Sequence, residues 1–63
     1  MTAEERRQEI FDCLTRAEGP LSASALAADF GVSRQVIVQD IALIRASGDV
    51  VMSTNRGYVS NEP

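Results

Sequence analysis

The chain has 63 residues, enough for one domain, and a chain this short buries only about 60% of the surface its unfolded form exposes, which leaves little room for a deep catalytic cleft. It contains no histidine and a single cysteine, Cys13, so histidine catalysis, histidine metal ligation, an internal disulfide and a structural zinc site are all excluded. The formal net charge of −3 argues at first sight against a polyanionic partner.

The remaining composition, 44% hydrophobic and 24% charged, is that of a soluble globular domain. No apolar run approaches the roughly 20 residues that span a bilayer, so no membrane partner is expected. The start, MTAEERRQE, is acidic and polar, unlike a signal peptide, and the expected compartment is a reducing cytoplasm. The charge is unevenly spread. Residues 1–30 carry three arginines against six carboxylates; residues 31–58 carry three arginines against two. Local field governs a groove-binding surface more than total charge does.

Thr2 to Ala17 reads as a first helix, with Thr2 and Glu5 spaced as a capping box. Ile10, Phe11, Leu14 and Ala17 recur at helical spacing as its apolar face, with Cys13 beside them as a small packed side chain. Glu4, Glu5, Arg6, Arg7 and Glu9 read as its solvated side. Gly19-Pro20 turns the chain, and Leu21 reads as a short extended residue able to form a single bridge. Ser22 caps a second helix over about Ala23 to Asp29, with Leu21 and Leu26 spaced as a hydrophobic staple. Leu26, Ala27 and Phe30 face inward, and Gly31 is placed to stop the helix in the left-handed conformation.

Val32-Ser33 repeats the device. Ser33 caps a third helix from about Arg34 to Ser47, Val32 and Ile37 form a second staple, and Gly48 is the stop. At 100° per residue Ile37, Ile41 and Ile44 share the core face, while Gln35, Gln39, Ala42 and Ala46 gather opposite. Val36 and Leu43 flank that outer face on one side and Val38 on the other; exposed, they need a partner surface unless a wing or a dimer mate covers them. Val50 to Ser53 is a strand by β-branching, Thr54 to Gly57 has turn composition, and Tyr58 to Ser60 returns. Residues 61–63, together with Ser60, read as a frayed end or the start of a linker. The fold class expected is mostly α with a small β-hairpin: a winged helix-turn-helix over residues 1–60.

The chemistry of such a module lies in the third helix, whose N-terminal residues meet base edges in the DNA major groove. A glutamine amide bonds adenine at two points, so Gln35 and Gln39, one turn apart, are candidate base readers. Val36, Val38 or Ala42 suit thymine methyl groups. Ser33 and the free N–H groups at the helix start suit a phosphate, as does Arg34, which is also able to read a guanine. Arg56 at the hairpin tip reaches toward the adjacent minor groove or backbone. The bland alternatives are a cap for Ser33, solvent for the glutamines and an ordinary turn for Arg56. Asp40 lies beside the core stripe and reads as an internal partner of an arginine or a backbone N–H, with Arg45 near enough to the core edge to supply it. Tyr58 reads as packing at the base of the hairpin.

The run GVSRQVIVQDIALIRASG, followed by TNRGYV, resembles the N-terminal winged-helix domain of bacterial niacin-responsive transcriptional repressors. VSRQVIVQDI is similar, more broadly, to the recognition segment of biotin-repressor-like and sugar-metabolism-repressor-like regulators. The broad resemblance covers Glu4 to Val59; the narrower one rests on Gln35 to Asp40 and on Arg56-Gly57-Tyr58. It implies a cytoplasmic repressor that binds an operator in double-stranded DNA as a homodimer, through Ser33, Arg34, Gln35, Val36, Gln39 and Arg56. It further implies a histidine-rich sensor domain holding nicotinic acid and a metal ion. That domain is missing from a chain that stops at Pro63 without a histidine, so no cofactor is expected here, and the chain is either an isolated DNA-binding domain or a short stand-alone relative.

Two other functions compete. Acidic net charge and exposed Val36, Val38 and Leu43 suit a winged helix that binds protein instead of DNA, and the acidic first helix suits a dimerisation module. An enzyme is not expected: no nucleophile–base pair, metal set or phosphate loop stands in the sequence.

Overall fold

A computed structural model describes residues 1–60. Its elements are α1 (Ala3–Arg16), α2 (Ala23–Phe30), α3 (Arg34–Ala46), β1 (Met52–Thr54) and β2 (Gly57–Val59). Three helices followed by an antiparallel hairpin make a winged helix-turn-helix, as the sequence led one to expect. The tail expected over 61–63 lies outside the described residues.

Each helix starts on a hydroxyl side chain. Thr2 Oγ1 accepts from the Glu5 N–H at 3.1 Å while Glu5 Oε1 accepts from the Thr2 N–H at 2.8 Å, so the capping box is complete. Ser22 Oγ accepts from Ala25 N–H at 3.1 Å, and Ser33 Oγ from Val36 N–H at 3.2 Å. Between α2 and α3, Gly31 takes φ 67°, ψ 34°, and the Val32 N–H reaches back to the Ala27 carbonyl at 3.1 Å. That closing bond ends α2 at a left-handed glycine and leaves Val32 and Ser33 to lead into α3. Ala17 ends α1 as an extended cap, and Ser47 caps α3, each one residue inside the helix limits expected from sequence.

The core consists of Ile10 and Leu14 from α1, Ala23, Leu26 and Ala27 from α2, Ile37, Ile41 and Ile44 from α3, and Val51. Phe11, Leu21, Phe30, Val32 and Tyr58 pack around it, partly buried. Both staple pairs therefore belong to one cluster, which fixes the angle at which the chain enters α2 and α3.

The hairpin pairs Met52 with Val59, Ser53 with Tyr58 and Thr54 with Gly57, leaving Asn55 and Arg56 as a two-residue loop. The sequence placed the strands differently, at Val50 to Ser53 and Tyr58 to Ser60. The shift has a cause. The Val51 carbonyl accepts Arg45 Nε at 2.9 Å and the Val50 carbonyl accepts Ser60 Oγ at 3.1 Å, so both leave the ladder for side-chain donors. Ser60 is thereby tied down and does not begin a free end. At the other end, Thr54 Oγ1 accepts the N–H groups of Arg56 and Gly57, both at 3.1 Å, which tightens the loop and extends the ladder to Gly57.

A bridge joins the wing to the helical part: Leu21 N–H to the Tyr58 carbonyl at 3.0 Å, and Tyr58 N–H to the Leu21 carbonyl at 2.8 Å. The close approach depends on Gly57, at φ 144°. A Cβ there would stand 2.5 Å from the Leu21 carbonyl carbon and 2.7 Å from the Ser22 nitrogen.

Candidate nucleic-acid interface

Burial of Ile37, Ile41 and Ile44 turns the opposite side of α3 to solvent, and Gln35, Gln39, Ala42 and Ala46 are all exposed there, while Arg34 is exposed at the first position of the helix. Among the described residues no hydrogen bond engages the side chains of Arg34, Gln35, Gln39 or Arg56, so their donors and acceptors face solvent unspent. Ser33 is exposed but its hydroxyl oxygen is committed to capping α3. Val36, expected to be exposed, is half-buried at the edge of the core face; Val38 and Leu43 are exposed, at 41% and 49%.

Five of the six arginines divide by their partners. Asp40 is 2% exposed, as its position beside the core stripe suggested, but Arg45 is not its partner. Asp40 Oδ2 accepts Arg6 Nε at 2.5 Å, Oδ1 accepts Arg6 Nη2 at 3.1 Å, and Arg7 Nη1 stands 3.6 Å from Oδ1. Arg45 points the other way and holds the wing, through the Val51 carbonyl and through Ser53 Oγ at 2.8 Å. Arg6 and Arg7, assigned from sequence to the solvated side of α1, are drawn across to α3 by the buried carboxylate. Hydrogen bonding to Asp40 raises the Arg6 pKa above its ordinary value; burial opposes this and the carboxylate charge adds to it.

Arg34 and Arg56, 22 positions apart, line one open groove of about 270 Å³ with Ser22, Ser24, Asn55 and Thr54. The start of α2, the start of α3 and the hairpin loop meet there. No carboxylate lines it. A second groove of about 310 Å³, between α1 and the end of α3, carries Glu4, Arg7 and Asp49 and shares no residue with the first. Two unpaired guanidinium groups and two helix starts thus converge on a surface that no carboxylate lines. That arrangement suits a phosphate backbone running past the exposed face of α3.

Sequence reasoning found Arg34 and Arg56 separately and missed Ser22, Ser24 and Asn55. The signal was the Leu21 extension, which marks where the wing docks; its partner, Tyr58, lies 37 residues away and no local pattern connects them. Among the described residues no group of three His, Cys, Asp or Glu side chains converges to hold a metal ion, and no helix is long and apolar enough to cross a membrane.

The chain is 48% identical over 56 residues to a probable transcription repressor, NiaR, of Thermotoga maritima, covering 89% of this chain and 32% of that one. It is 43% identical over 54 residues to the transcription repressor NadR of Bacillus subtilis, covering 86% of this chain and 30% of that one. It spans about a third of the length of the curated relatives it matches. Both are named as repressors, in line with the resemblance read from Gln35 to Asp40 and Arg56 to Tyr58. The family model described as an HTH domain matches residues 6–59, from the arginine that grips α3 to the last residue of the wing, and the chain belongs to that helix-turn-helix domain family.

Proposed function

We propose that this chain binds duplex DNA as the reading domain of a transcription repressor. Its third helix lies in the major groove, and the wing contacts the neighbouring backbone or minor groove. The observation that carries this is the exposed, unpartnered Gln35/Gln39 face beside a carboxylate-free groove holding Arg34 and Arg56. The repressor names of its relatives support the same reading. Gln35 and Gln39 read base edges, Val36 contributes an apolar edge, Ser33 caps α3 and presents its free N–H groups to a phosphate, and Arg34 and Arg56 hold the backbone.

The larger protein, in this proposal, works in the cytoplasm as a homodimer reading two half-sites about 34–36 Å apart or a multiple of that. Nicotinic acid and a metal ion belong to a further domain in this reading, because the chain offers no histidine.

The test is titration with a duplex enriched from a random pool, followed by amide chemical shifts. Shifts confined to residues 33–39 and to Arg56 support the assignment; unmoved signals at low salt defeat it. On the enriched duplex Gln35→Ala weakens binding by about 1–3 kcal/mol, with no change on unselected DNA. Equal loss on both would remove the base-reading role.

A second reading, a protein-binding or dimerisation surface without DNA, is favoured by the exposure of Leu43 at 49%, Val50 at 53% and Met52 at 49%. Sedimentation over a range of concentrations tests its dimerisation form: a strict monomer excludes self-association of this domain.

A further inference from the structure

We propose that Arg6 and Asp40 are a positioning pair that sets the rotation of α3 about its own axis, and so decides where Gln35 and Gln39 point; this rests on the DNA reading above. Asp40 is the buried charged side chain among the described residues, and the contact joins positions 34 apart in sequence. A buried ion pair is a weak source of stability, because desolvating both charges largely offsets their attraction and apolar replacements often do as well. What the guanidinium fork adds is direction: two N–H groups meet two carboxylate oxygens in one plane, at 2.5 and 3.1 Å.

Between the helices, direction is what the remaining α3 contacts lack; the other directional side chain of α3, Arg45, reaches the wing and not another helix. The core stripe of α3 is three isoleucines, Ile37, Ile41 and Ile44, and apolar burial is non-directional. At about 100° per residue, Asp40 lies roughly 60° to one side of Ile37, and Gln39 roughly 100° further round. Any rotation of α3 that carries Gln39 away from its base also breaks the fork. Arg7 stands by as a second cation at 3.6 Å, so Asp40 keeps a countercharge when Arg6 is altered.

The experiment uses the whole 63-residue chain, a duplex that the wild-type chain enriches from a random-sequence pool, and an unselected duplex as reference. Arg6→Lys keeps the charge without the fork; the double variant Arg6→Met/Asp40→Leu replaces the pair with apolar side chains. Both are expected to stay folded by circular dichroism. In each, the ratio of affinity for the enriched duplex to that for the reference falls about tenfold, while binding to the reference is unchanged. In the double variant Gln35→Ala no longer lowers the ratio, because the amide already misses its base. A folded double variant with the wild-type ratio and undiminished dependence on Gln35 overturns the proposal and leaves the DNA reading intact. If the double variant does not fold, Arg6→Lys decides alone: a tenfold fall supports the pair, and an unchanged ratio overturns it. A wild-type chain that enriches no duplex overturns the DNA reading itself, and the proposal with it.

Discussion

Ser33 has two separable duties, and substitution distinguishes them. Its hydroxyl oxygen satisfies the Val36 N–H, so Ser33→Ala should lower stability by about 1 kcal/mol in a urea titration. Ser33→Asp keeps the cap and places a negative charge at a helix start, which leaves stability near that of the wild type. The same charge repels a phosphate, so DNA affinity should fall; an Asp variant with full affinity would leave Ser33 as a cap alone. Gly57 is the other position where one atom decides. Gly57→Ala places a methyl 2.5 Å from the Leu21 carbonyl carbon at a φ of 144°, so the backbone has to give. The expected loss is about 1–3 kcal/mol, with faster hydrogen exchange at the Leu21 and Tyr58 amides, which bond across the bridge.

α3 serves the fold with one face and the proposed function with the other. Its inner stripe meets both other helices, so Ile41→Ala, at 1% exposure, removes about 2–5 kcal/mol. A domain of this size has only about 3–9 kcal/mol to lose, and thermal unfolding should show a variant partly unfolded at room temperature. Changes on the outer face, such as Gln35→Ala, should leave the unfolding transition where it is, because that side chain touches no partner within the domain. The wing is held from two directions. Arg45 binds β1 from the end of α3, and Leu21 binds β2 from the start of α2. The loop bearing Arg56 is therefore set relative to both helix starts, which a free hairpin of three-residue strands would not achieve.

For the whole molecule the question is how an acidic chain meets a polyanion. The first groove answers it locally: Arg34 and Arg56 line it without a carboxylate, whereas Glu4 and Asp49 stand with Arg7 in the other. Such binding falls steeply with salt, and the slope of log affinity against log salt counts the phosphates neutralised. Arg56→Ala should reduce that slope by about one and weaken binding to all duplexes alike. A slope unchanged by the substitution would return Arg56 to the status of an ordinary turn residue.

The helices, their caps and their inner faces were readable from the chain alone, because these depend on neighbours three to five positions away. Thr2 with Glu5, the Ser22 and Ser33 caps, the Leu21–Leu26 and Val32–Ile37 staples, and Gly31 were all legible for that reason. The exposed glutamine face followed from the same periodicity. The strand limits were not legible, since β-branching at Val50 and Val51 marks a strand, while Arg45 and Ser60 take their carbonyls out of the ladder. Nor was the partner of Asp40: Arg45 is nearer in sequence, but the packing of α1 against α3 brings Arg6 to it across 34 positions. The groove shared by Arg34, Arg56, Ser22 and Asn55 likewise exists only once the Leu21–Tyr58 bridge has closed the wing onto α2. Local periodicity encodes which face of each element is apolar; which charged groups meet, and where a cationic groove opens, depends on contacts between distant positions that only the folded chain brings together.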